Sequence, residues 1–216
     1  MEKRKGDLKK ITKSFLKYLG VFLLILLFIL LIFFLVLRST YLSWKEERES
    51  DLVILDLEED ISGYERELEE SIEEYSRAEG TYSFIELSKK ESLLLFSKAF
   101  EDSLPNVFQV NKMGLLADYG EWRVFVKTEA FSIDLPWIGF YLKKEGMQSI
   151  DIYVEDIFLG NVSLSRLFLR SQVESINEGI SKSIELIGKG EFLGKEFENI
   201  EFKEDEMVIR SREATF

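Results

Sequence analysis

The residue types able to do chemistry in this chain are few. It carries 40 Asp and Glu and 28 Lys and Arg, but no His and no Cys. Histidine acid-base catalysis, thiolate nucleophiles, disulfides and the usual zinc sites are therefore excluded. Carboxylate pairs remain, such as Asp151 with Glu155 or Glu155 with Asp156. A glycosidase holds two carboxylates across a substrate cleft, and adjacency in so acidic a chain does not supply that geometry. Solvated sheet residues are the expectation. No calcium loop of the form D-x-[DN]-x-[DN]-G occurs. The GKGEFLG phrase at Gly188–Gly194 has G-x-G-x-x-x-G spacing and follows a helical pattern, so it reads as a helix end rather than a phosphate cradle. Ser14-Phe15-Leu16-Lys17 matches S-x-x-K without any accompanying site. Asn161-Val162-Ser163 is formally a glycosylation acceptor, and Ser163 is expected to cap a helix instead. The chain is expected to be no enzyme and to need no metal or cofactor.

What remains to do chemistry is apolar surface, and four segments must position it. The run Leu19–Leu37 holds no charged residue, Asn, Gln or Pro. At 1.5 Å per residue it reaches about 28 Å, close to the hydrocarbon thickness of a bilayer. A cleavable signal needs a shorter apolar region and a small-x-small site, which Arg38, Tyr41 and Leu42 spoil. Residues 19–37 are expected to form a single transmembrane helix, with 1–18 as a basic leader. Residues 1–17 carry seven basic and two acidic residues, a net +5, so the whole-chain charge of −12 leaves −17 beyond them. The basic flank predicts a cytoplasmic N-terminus at the cell membrane and an extracytoplasmic remainder. That acidity argues against nucleic acid as a partner.

Residues 38–79 read as an acidic helical stalk. Ile54, Leu57, Ile61, Tyr64, Leu68, Ile72 and Tyr75 recur at steps of three and four, and acids outnumber bases fifteen to four between Lys45 and Glu79. The stripe offers a homodimer seam or a docking face for envelope proteins. A helix lying back on the domain is the alternative.

Residues 80–216 are expected to form one α+β domain. TYSFIEL looks extended, and Ser88–Glu91 fits a capping box before a short helix that stops ahead of Pro105. Between Asn106 and Gly160 the period shifts to two, predicting four strands. Trp122, Val124 and Val126 alternate with Arg123, Phe125 and Lys127; Ile138, Phe140 and Leu142 alternate with Gly139, Tyr141 and Lys143; Ile150, Ile152 and Val154 alternate with Asp151, Tyr153 and Glu155. The parity slips at Glu155-Asp156, which predicts a bulge. Phe168, Leu169, Val173, Ile176, Ile180, Ile184 and Ile187 mark the main helix, capped by Ser163 or Ser165 and ended by Gly188 or Gly190. A hairpin turning at Lys203–Glu206 closes the chain.

The order of these parts resembles the small bacterial membrane-anchored proteins of the YpmS type and, more loosely, the LmeA-like and tubular lipid-binding domains. The shared features are the N-terminal span, the ELSKKE start, the strands joined by DYGEW, the VEDIFLGNVSL phrase and the closing GKEFENIEFKEDEMVIR hairpin. They cover residues 81–212. The resemblance implies a curved long-stranded antiparallel sheet packed around one main C-terminal helix, no enzymatic activity, and handling of lipids or of lipid-borne envelope polymers.

These readings combine into a noncatalytic, single-pass, extracytoplasmic module that binds lipid or another apolar ligand between sheet and helix. Val124, Val126, Phe140, Leu142, Ile152, Val154, Ile176 and Ile180 would form the wall of that groove. Each buried methylene would contribute about 0.8 kcal/mol to affinity. The same eight residues form an ordinary dry core if the sheet and helix close. The alternative function is a structural or scaffolding subunit of an envelope complex, acting through the stalk.

Overall fold

The computed structural model describes residues 2–59, 61–77, 82–103, 108–118, 121–146, 149–164, 166–189 and 195–213. An unbroken run of Leu, Ile and Phe favours a helix through the apolar segment, and α1 spans Glu2–Arg48 as one 47-residue helix. Among the described residues it is the one helix long and apolar enough to cross a membrane, and its apolar window is buried against nothing in the chain. Lys45 and Arg48 occupy its last turn, where they complement the carbonyl end of the helix. A short 3-10 turn, Glu49–Asp51, then redirects the chain.

The acidic stalk expected over 38–79 is not one helix. The chain leaves α1 at Arg48 and forms strand β1, Val53–Asp56, which joins a sheet. It then forms α2, Ser62–Arg77. Leu55 is buried, and Tyr64, Leu68, Ile72 and Tyr75 pack against the domain's core. The amphipathic stripe does mark a helix face over α2, but its partner lies in the same chain. The seam offered to a second copy is thereby occupied, and the domain is not lifted on a pole.

The remaining elements are β2 (Tyr82–Ser88), α3 (Lys89–Ser103), β3 (Phe108–Asp118), β4 (Glu121–Ala130), the two-residue β5 (Ile133–Asp134), β6 (Ile138–Lys144), β7 (Ile152–Leu159), β8 (Val162–Leu164), α4 (Arg166–Lys189), β9 (Lys195–Phe202) and β10 (Glu206–Glu213). Among the described residues, seven strands make one antiparallel sheet in the order β1-β3-β4-β6-β7-β8, with β5 beside β4. The second sheet is β2-β10-β9, so the closing hairpin pairs with the strand that opens the domain. Where one sheet around one helix was expected, two sheets enclose an interior shared by α3 and α4.

The alternations predicted for β4, β6 and β7 hold. Trp122, Val124, Val126, Phe140, Leu142, Ile152 and Val154 face inward. The slip at Glu155-Asp156 is a bulge: Leu142 pairs with Val154 and Tyr141 with Asp156, leaving Glu155 as the extra residue. From α4, Val173, Ile176, Ile180 and Ile184 enter the core; the side chains of Phe168, Leu169 and Ile187 lie outside the described set. Asn177 Oδ1 accepts from Val154 N at 2.7 Å, tying α4 to β7. Ser163 is not a helix cap. It lies in β8 and donates to Asp156 Oδ1 at 2.9 Å, while Ser165 and Gly190 lie outside the described residues.

The capping box forms as the spacing predicts. Ser88 N donates to Glu91 Oε2 at 2.7 Å, and Glu91 N donates to Ser88 Oγ at 3.3 Å. Glu91 also accepts from Ser71 Oγ on α2 at 3.1 Å, so the cap holds two helices. Replacing Ser88 with Ala removes a helix-start acceptor and should cost about 1 kcal/mol. At roughly 2 to 4 °C per kcal/mol for a chain of this size, thermal unfolding should register the loss.

Candidate functional site

Val124, Val126, Phe140, Leu142, Ile152, Val154, Ile176 and Ile180 are brought together, as the sequence pattern required. None is more than 4% exposed. The Phe100 ring of α3 lies 4.8 Å from that of Phe140, and Leu93, Phe96 and Ala99 complete the same cluster. Ile152 also borders a cleft of about 690 Å³ between the β6–β7 connection and α4, and the other seven wall residues take no part in its lining. Glu145, Asp151, Asn177, Glu178, Ser181 and Lys182 line it beside Ile152 and Tyr153.

The acids flagged by spacing take part in ion pairs and hydrogen bonds within the sheet and its connections. Lys143 Nζ lies 2.6 Å from Glu155 Oε2, and Asp156 Oδ1 accepts from Ile157 N at 2.9 Å as well as from Ser163. Asp151 Oδ2 accepts from Ser149 Oγ. No group of three or more acids could hold a metal ion among the described residues.

A second cluster, on the opposite face of the large sheet, is the feature that sequence reasoning missed. Strand parity turns Phe125 and Gly139 outward, away from the main core. Phe125 is nonetheless 1% exposed, because Trp44 of α1 stacks on it with ring centroids 5.0 Å apart and planes at 25°. Phe158 meets Phe125 edge-on at 5.5 Å, and its ring lies over Gly139, where any Cβ would overlap it. Tyr41, one turn before Trp44, accepts from Trp137 N through its hydroxyl at 3.1 Å. Trp137 Nε1 in turn donates to Glu49 Oε1 at 2.9 Å. Leu52 covers Gly114 of β3. Gly160, in the β7–β8 turn, has φ +60°, and a Cβ there would meet Tyr41 Cα at 3.0 Å. Glycine is needed there twice, for the left-handed backbone and for the close approach of α1. The continuation of the apolar helix is thus clamped against the sheet.

The signal for this clamp was present in the sequence. An outward-facing Phe and an outward-facing Gly on adjacent strands contradict a solvated face, and Tyr41 and Trp44 share one side of a helix.

Beside the clamp is a cleft of about 350 Å³ lined by Trp44, Glu121, Arg123, Tyr141, Asp156, Phe158 and the β7–β8 turn. Arg123 and Lys143 both approach the Tyr141 ring, at 5.9 and 5.7 Å from its centroid. Burial, and then the hydrogen bond and negative charge of Glu121, push the Tyr141 hydroxyl up to about 12. The protonated phenol is favoured in the fold. Its contribution to stability is complete below the ordinary tyrosine range near 10 and is lost as pH rises through about 12. An absorbance titration of tyrosinate should therefore show a late-ionising residue. Glu121→Gln should move that step to lower pH, and an unmoved step would show that Glu121 has no part in it.

On the far edge of the sheet, Lys112 ion-pairs with Asp56 and holds its carboxyl below the ordinary range. This pins β1 to β3. The contribution is present above pH about 4 and falls away as Asp56 protonates.

No family model, curated protein or solved structure matches this chain. The class that fold and site define is an α+β domain, built of antiparallel sheets, with an N-terminal helix able to cross a membrane.

Proposed function

We propose that this chain is a noncatalytic, single-pass membrane protein of the cell envelope that holds an acidic domain in one fixed attitude, as a structural or scaffolding subunit. The N-terminus is cytoplasmic and the domain extracytoplasmic, in keeping with the +5 leader and the −17 remainder. The observation that carries the reading is the clamp of Trp44 and Tyr41 on the outer sheet face. A tethered carrier or enzyme gains little from fixing its orientation to its anchor, whereas a scaffold depends on it. The acidic surface suits partners with basic faces.

The filled interior supports this reading over lipid carriage. An acyl chain among the eight wall residues would have to displace side chains already packed to 4% exposure or less. The test is titration of full-length, delipidated protein in detergent with a fluorescent fatty acid. No saturable uptake is expected. Saturable uptake abolished by Ile180→Trp would overturn the scaffold reading and restore a lipid groove among those residues.

A further inference from the structure

The clamp also determines which edge of the domain meets the bilayer. Past the apolar run, Leu37, Thr40, Tyr41 and Trp44 lose exposure, while Arg38, Ser39, Leu42 and Ser43 stay exposed. These steps of three, four and seven mark one helix face turned to the sheet. On that face Thr40, Tyr41 and the Trp44 Cβ lie against Gly160 at the end of β7, and the Trp44 ring reaches Phe125 of β4. After the helix, Leu52 covers Gly114 of β3. Along the chain these contacts pass from β7 to β4 to β3, across the order of the strands. The sheet order β1-β3-β4-β6-β7-β8 runs from the edge farthest from the apolar run to the edge nearest it.

Height follows from the helix rise. Tyr41 stands four residues beyond Leu37, or about 6 Å. Each headgroup layer is roughly 5 to 8 Å thick, so the turn at Gly160–Asn161 falls within it. Strand β8 lies on the same side and ends the sheet, pairing among the described residues with β7 alone. A free edge in a soluble domain invites another strand. Lipid phosphates and interfacial water supply acceptors and donors that satisfy it.

We propose that the β7–β8 turn and edge strand β8 rest in the phospholipid headgroup layer. The domain then stands on this edge, with its strands parallel to the membrane. The proposal rests on the reading of residues 19–37 as a bilayer span, and its test separates the two.

The chain has no Cys, so single substitutions suffice. Spin labels at Asn161→Cys, Glu204→Cys and Leu27→Cys would be placed in the full chain, in phosphatidylcholine nanodiscs doped with a nickel-chelating lipid. The Asn161 label should relax several-fold faster than the Glu204 label through headgroup nickel, and the Leu27 label should be oxygen-rich. Equal nickel effects at positions 161 and 204, with Leu27 still in hydrocarbon, would overturn the edge proposal and leave the span intact. A Leu27 label exposed to water would remove the span itself. A label at 161 that is immobilised alike in detergent and in nanodiscs, without a nickel effect, would assign the edge to another protein strand and also overturn the proposal.

Discussion

Trp44→Ala will release the domain from its helix. Trp44 is 3% exposed, and its indole stacks on Phe125 in the cluster against which Phe158 packs, so truncation exposes the outer faces of β4 and β7 together. Removing a buried Trp typically costs about 3 to 5 kcal/mol. Here the loss falls on docking more than on the main core, because among the described residues the second cluster is Trp44, Leu52, Phe125 and Trp137, with Tyr41, Leu116 and Phe158 packed against it. Amide exchange should rise sharply over residues 40–52 and across the outer sheet face. Protection in α3 and α4, which face the other cluster, should stay near wild type. Uniform loss of protection would mean that the clamp is integral to folding rather than a joint between two parts.

Ile180→Ala should destabilise the protein in the absence of any ligand. Ile180 is fully buried and packs among α3, α4 and the sheet. Truncating such a residue costs about 2 to 5 kcal/mol, part transfer energy and part cavity. In an open groove the same truncation would merely widen a ligand channel and leave the unliganded protein nearly as stable as before. Urea unfolding in detergent, followed by tryptophan emission, distinguishes these outcomes. A drop in midpoint without a change in slope is expected. An unchanged midpoint would argue that position 180 lines a void.

Much of the fold was legible because its signals are local. The alternations in β4, β6 and β7, the parity slip at Glu155, the reciprocal Ser88–Glu91 cap and the Lys203–Glu206 turn each depend on residues a few positions apart. What stayed hidden depends on distant partners. Val53–Asp56 sits inside an acidic, helix-period stretch, and only its pairing with Lys112–Leu115 makes it a strand. The stripe on α2 announces an apolar face without naming what covers it, and a stalk is the wrong completion. The union of β2 with β10 joins residues more than a hundred positions apart, and neither strand's pattern indicates which sheet it enters. The pattern places the eight wall residues side by side, yet periodicity alone does not distinguish a wall from a filled core. The clamp was readable in principle from Phe125 and Gly139, since each breaks the rule for a face turned to water.

The central claim is that the domain is fixed, not merely tethered, to the helix. Its most direct test is a pulsed electron resonance distance between spin labels at Leu42→Cys on α1 and Lys182→Cys on α4, two exposed helical positions in a chain without native Cys. A single narrow distribution is expected, the same in detergent and in lipid nanodiscs, and Trp44→Ala should broaden it. A broad distribution in the wild-type chain would contradict the account.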